Sequence, residues 1–159
     1  MIEVHVREAA LGDVTAIAQV WSQEGGEGGA PETRVQRYLT REHHPQQALP
    51  ERVIFVAERG GALVGYIAGH LTRRFRCDGE LQWIFTAPGQ RGSGVAAELL
   101  RRLAEWFRER AAARVCVNVD PANGSARRFY ARHGASELNE HWMVWDDINS
   151  GADGLKAEP

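Results

Sequence analysis

Two glycines one residue apart, Gly92 and Gly94, stand in the stretch Gln90-Arg91-Gly92-Ser93-Gly94-Val95-Ala96, between the apolar run Leu81-Gln82-Trp83-Ile84-Phe85-Thr86 and a long amphipathic segment. Glycine lets a backbone turn tightly and approach a ligand with no Cβ in the way. The first turn of a helix leaves its N–H groups without intrahelical partners, and the peptide dipoles place about half a positive charge there, so such a loop can hold an anion. Phosphate is the natural guest, and Arg91 adds a guanidinium able to make paired hydrogen bonds to its oxygens. A glycine-softened turn with a solvated Arg is the plain alternative. A P-loop is excluded, because its Lys and metal-binding hydroxyl are missing. Gly92-x-Gly94-x-x-Ala97 does match the dinucleotide fingerprint, with Asp120 where a ribose-binding acid belongs. In that fold, however, the glycines follow the strand at once, whereas Ala87-Pro88-Gly89-Gln90-Arg91 intervenes here.

Elsewhere the chemistry-bearing residues are isolated. His70 has an intrinsic pKa suited to proton transfer, but one His at a strand end is ordinarily a satisfied polar residue. Ser93 lacks a Ser-His-Asp context. His43-His44 lacks the spaced ligands of a metal site. Cys77 and Cys116 form neither a CxxC motif nor a disulfide framework, which fits a reducing, cytoplasmic setting. With 159 residues, 43% hydrophobic, 25% charged and a formal charge of −2, the chain reads as one ordinary globular domain without the basic excess of a nucleic-acid binder. No basic n-region with an apolar h-region opens it, and no run approaches the ~18 apolar residues of a membrane span.

Positioning the glycine loop requires a strand before it and a helix after it. Residues 80–86 supply the strand, expected to be central and covered on both faces; residues 95–110 supply the helix, with Val95, Ala96, Leu99, Leu100, Leu103, Trp106 and Phe107 as its core stripe. Upstream, Ile2, Val4 and Val6 alternate as a strand. Asp13 caps a helix carrying Val14, Ile17, Ala18 and Trp21, and Pro31 opens a second helix. Between the helices lies the acidic, glycine-rich loop 23–30 with Glu24 and Glu27, a candidate acceptor lid. Residues 41–51 read as loop, and 52–59 and 62–71 as a hairpin about Gly60-Gly61. Residues 114–119 form a strand parallel to 80–86 after a right-handed crossover. A turn at 120–124, a short helix 125–133 ended by Gly134, and strands 135–138 and 141–146 follow. The tail 149–159 is expected to be disordered.

Arg91-Gly92-Ser93-Gly94-Val95-Ala96 after a bulky strand resembles the Gln/Arg-x-x-Gly-x-Gly/Ala acetyl-CoA signature of the GNAT family of N-acetyltransferases. The stretch from Asn123 through Ala126, Phe129, Tyr130 and Gly134 resembles that family's Asn-x-x-Ala-x-x-Phe-Tyr-x-x-x-Gly-Phe block, with Ala135 replacing the last aromatic. The order of elements fits the family from about residue 52 to 146, and residues 2–51 fit its variable opening. The resemblance implies a single α/β domain over 1–148, with a mixed, mostly antiparallel sheet, one parallel splayed strand pair and flanking helices. It implies acetyl-CoA as co-substrate and no metal. The pyrophosphate would rest on amides of Arg91, Gly92, Ser93, Gly94, Val95 and Ala96, and the pantetheine arm on the backbone of Ile84, Phe85 and Thr86 and on Asn123.

Acetyl transfer needs a neutral amine, a stabilised oxyanion and a proton for the leaving thiolate. The resemblance assigns that proton to Tyr130 and the amine's proton, through water, to Glu80. Read from the residues alone, Tyr130 could be core packing, Asn123 a turn former, and Glu80 a surface ion pair with Arg73, Arg74 or Arg76. Glu24, Glu27, Asp78 and Glu80 favour a small cationic amine as acceptor, and Trp21, Trp83 and Trp142 are candidates to line its site. Protein amino groups, or a non-catalytic acyl-CoA-binding role, are the alternatives. No nucleic-acid or membrane partner is expected, and the resemblance implies a homodimer.

Overall fold

The computed structural model describes residues 3–23, 31–42, 45–90 and 92–150. Seven strands form one sheet in the order β1-β2-β3-β4-β5-β7-β6. They are β1 His5–Glu8, β2 Ala48–Arg59, β3 Ala62–Thr72, β4 Gly79–Thr86, β5 Val115–Asn118, β6 Ser136–Asn139 and β7 Trp142–Trp145. Only β4 and β5 run parallel; every other neighbour is antiparallel.

Because successive strand residues point to opposite faces, β2 and β3 feed two cores. The helices α1 (Val14–Gln23) and α2 (Pro31–Leu39) cover one face, where Val14, Ile17, Val35 and Tyr38 pack on Ile54, Val56, Tyr66 and Ala68. The helix α3 (Val95–Glu109) covers the other, setting Leu99, Leu103 and Phe107 against Val53, Phe55, Ile67 and Val115. Leu99 and Leu103 are completely buried, each contributing about 1.5–3 kcal/mol. Phe107 lies where a Cβ on Gly79 would stand, so only glycine fits the start of β4. The helix α4 (Gly124–Arg132) follows β5 and adds Tyr130 to the α3-side core.

The strand β4 positions the site. It pairs with β5 only at Gly79↔Val115, Glu80↔Cys116 and Leu81↔Val117. With β3 it continues to Thr86↔Gly65, past an irregularity that leaves Gln82 unpaired between Leu81 and Trp83. A bulge of this kind bends a strand and sharpens its twist. Past it β4 leaves β5, and Trp83, Ile84 and Phe85, expected to be covered on both faces, are only half-buried because they border the opening.

Other boundaries also differ from expectation. Asp13 closes a short 3-10 turn rather than capping α1; its carboxylate accepts from the Ala10 amide at 2.8 Å and from both terminal nitrogens of Arg7 at 2.9 Å. The Arg7 hydrogen bonds, chiefly, hold this carboxyl below its ordinary pKa. The strand β2 begins at Ala48, inside the stretch read as loop. At the C-terminal end Ile148 is buried and the Asn149 amide group donates to Ala104 O at 3.0 Å. Among the described residues no helix is long and apolar enough to cross a membrane.

Candidate functional site

The divergence of β4 from β5 opens a cleft of about 660 Å³. One wall is β4 over 81–86, the other the end of β5 with α4, and the head is the loop carrying Gln90, Gly92 and Gly94 with the first turn of α3. Ile84, Phe85 and Thr86 lie on the stretch of β4 that has a partner strand on the β3 side alone.

The loop is built by its own hydrogen bonds. Gln90 N–H donates to Ala87 O at 3.1 Å, and the Ser93 amide (3.2 Å) and hydroxyl both donate to Gln90 O. Arg59 Nη1, from the end of β2, donates to Gln90 Oε1 at 2.6 Å. Gly92 and Gly94 take φ of 77° and 87°, a region costly for residues with a Cβ. Gly94 is the N-cap of α3, and the Glu98 amide makes the helix's first bond to its carbonyl at 3.1 Å. Among the described residues the Ala96 and Ala97 amides have no backbone acceptor. A Cβ built on Gly92 or Gly94 would meet nothing within 4 Å, so both glycines border open space at the positive end of the helix. These features fit a diphosphate. Arg91 lies outside the described residues.

Tyr130 lines the opposite wall, 5% exposed, its ring set edge-on to Phe129 and Trp145 at 5.6 and 5.8 Å. Burial lifts its pKa to about 12, so the hydroxyl stays protonated. The Asn123 side chain accepts from the Ala126 amide at 3.1 Å, capping α4, while the residue also borders the cleft. His133, which the sequence did not single out, lines the cleft as well. Its ring lies 4.6 Å from Phe129, and burial first, then Arg132, lowers its pKa. The i, i+4 spacing of Phe129 and His133 was the available signal.

Glu80 is not at the surface. It is 5% exposed, receives Arg74 Nε at 3.2 Å and lies 3.6 Å from His70 Nε2. His70 is completely buried, and its Nδ1 is 2.9 Å from the Tyr38 hydroxyl. Burial raises the Tyr38 pKa well above its usual value, so this hydroxyl stays protonated and shares a hydrogen bond with Nδ1 whose direction follows the imidazole tautomer. The cluster stands one residue before the strands part and does not line the cleft. Its link to the cleft is Trp83, stacked at a tilt on Tyr38 at 5.0 Å.

The acceptor residues scatter. Trp83 lines the cleft; Trp142 instead packs on Phe75 and beneath the Arg74 guanidinium. Asp78 accepts from the Ala113 and Arg114 amides at 3.1 and 3.0 Å. Glu24, Glu27, the His43-His44 pair and the Trp21 side chain lie outside the described set.

Residues 18–135 match the acetyltransferase (GNAT) family. An uncharacterized N-acetyltransferase of Mycobacterium bovis is 36% identical over 85 residues, a match covering 54% of this chain and 53% of that protein, so the similarity spans about half the length of this relative. The PaiA N-acetyltransferase of Thermoplasma acidophilum, solved in complex with coenzyme A, superposes with a TM-score of 0.71 at 13% identity, covering 90% of this chain and 98% of that one. The ribosomal-protein-S18-alanine N-acetyltransferase of Escherichia coli gives 0.70 at 14% identity, covering 90% and 93%. With the strand order, the parted β4–β5 pair and the glycine loop at the head of α3 already in place, the family match over most of its length makes this chain a member of the GNAT acetyltransferase family.

Proposed function

We propose that the protein transfers an acetyl group from acetyl-CoA directly to a primary amine of a small cationic molecule. The observation that supports this best is the meeting, in one cleft, of the free edge of β4, the glycine loop with the first turn of α3, and Tyr130. Acetyl-CoA brings an activated thioester when bound. Amides of Gly92, Gly94, Val95 and Ala96, with Arg91, hold its diphosphate, while the Ser93 amide, expected to join them, is engaged with Gln90 O. The backbone of Ile84, Phe85 and Thr86, with the Asn123 amide group, orients the pantetheine arm. Tyr130 donates its hydroxyl proton to the departing sulfur. The amine's proton passes to water in the cleft, because Glu80 lies off it, engaged by Arg74.

Preference for a cationic acceptor rests on Glu24 and Glu27, because Asp78 and Glu80 are engaged within the protein. Trp83 supplies an aromatic wall. The test is incubation with acetyl-CoA and a panel of polyamines, aminoglycosides, amino-acid derivatives and peptides with free N-termini, following thiol release. Release with small cationic amines is the expected result. Turnover with peptides alone would make this a protein acetyltransferase. CoA binding without turnover on any amine would make it a binding module, and absence of CoA binding would overturn the reading.

A further inference from the structure

Arg59 ends β2, and its side chain reaches across to the glycine loop, where Nη1 donates to Gln90 Oε1 at 2.6 Å. The guanidinium is half-buried, and its Nε is buried with no hydrogen-bond partner. Among the described residues no carboxylate pairs with it: the adjacent Glu58 is taken by Arg7 at 2.9 Å. A partly buried cation without a counter-charge is unfavourable. Here it is also bonded to the loop that leads into the positive N-terminal end of α3. An anion at the loop relieves both.

Gln90 is the residue through which Arg59 acts. Its carbonyl takes the Ser93 amide and hydroxyl, its amide is tied to Ala87, and its side chain borders the cleft. Holding Gln90 therefore holds the turn that contains Gly92 and Gly94. We propose that Arg59 is a positioning residue for the diphosphate of CoA-type ligands, fixing the loop through Gln90 and adding a second cation beside it. This rests on the reading of the cleft as the CoA site. Sequence pattern gives no hint of it, since Arg59 and Gln90 are 31 positions apart.

The test uses the whole chain with CoA and with dephospho-CoA, which keeps the diphosphate and lacks the 3′-phosphate. Arg59→Gln is expected to weaken CoA binding by about tenfold in calorimetry and to flatten its salt dependence. It should raise KM for acetyl-CoA with kcat near the parent's, and carry the same penalty to dephospho-CoA. Arg59→Lys should restore the salt dependence but only part of the affinity, because an ammonium lacks the guanidinium fork. Should Arg59→Gln not fold, Gln90→Leu breaks the same link and is expected to lose CoA affinity. A folded Arg59→Gln protein with parental affinity and salt dependence overturns the inference, as does a penalty that vanishes with dephospho-CoA. If the parent binds CoA in those experiments, the functional reading stands while the inference falls; if the parent binds none, both fall.

Discussion

Tyr130 lines the cleft, and burial keeps its hydroxyl protonated. Its neutral form is the one the fold favours, so any stability it adds is present below the unfolded value of about 10 and is lost as pH rises through about 12. The rate should accordingly show no alkaline fall from Tyr130 below about pH 10. Tyr130→Phe is expected to lower kcat and kcat/KM together by ~10²- to 10⁴-fold, with CoA affinity and melting temperature near parental. Near-parental kcat in a stable variant would refute the donor role. Glu80→Gln should behave differently. It leaves Arg74 without its carboxylate and is expected to cost about 1.5–3 kcal/mol in urea unfolding, while kcat falls by less than about threefold, because the carboxylate lies off the cleft. A kcat loss matching that of Tyr130→Phe would put the amine's proton on Glu80. That Tyr130 borders the cleft could be anticipated from a local motif. The Tyr38–His70–Glu80 contact could not, because it depends on the pairing of His70 with Glu80 and the docking of α2 on the sheet.

At the scale of elements, the loop and helix α3 were legible because glycine spacing and helical periodicity are local signals. Two elements were misjudged for physical reasons. Pro45 and Pro50 made 41–51 look like loop, yet β2 starts at Ala48 because its register with β3 is irregular from Ala48 to Arg52 and tolerates the Pro. The apolar run in β4 suggested two covered faces, but its bulk borders a cleft instead, and only the departure of β5 determines that. For the loop, the strain at Gly94 dictates the choice of variant. Val there would meet both ligand and backbone penalties, since a β-branched residue resists φ of 87°. Asn tolerates this region and still projects into the open front. Gly94→Asn is expected to weaken CoA binding by about tenfold or more with little change in melting temperature. Parental affinity by calorimetry would remove the loop from the account.

Across the whole molecule, the cleft and the α3-side core share atoms. A Cβ on Gly65 in β3 would lie 2.9 Å from Phe85 O and 3.2 Å from Leu99 Cδ1 and Val95 Cγ1. Gly65→Ala should therefore lower the melting temperature and CoA affinity together, by moving β4 and the head of α3. Gly12→Ala, whose Cβ meets nothing within 4 Å, should change neither. A Gly65→Ala protein that melts early but binds CoA like the parent would show that the cleft is insulated from the core. Beyond Leu81 and Val117 the facing edges of β4 and β5 carry peptide groups with no strand across from them, and exposed edges of that kind invite intermolecular pairing. A CoA molecule seated between the two strands would cover those edges. CoA at one hundred times its Kd would add about 2.7 kcal/mol of stability, whereas protein freed of CoA should aggregate on heating and be cut sooner by proteases. Light scattering during a thermal ramp checks this: CoA should delay aggregation, and an amine acceptor alone should not.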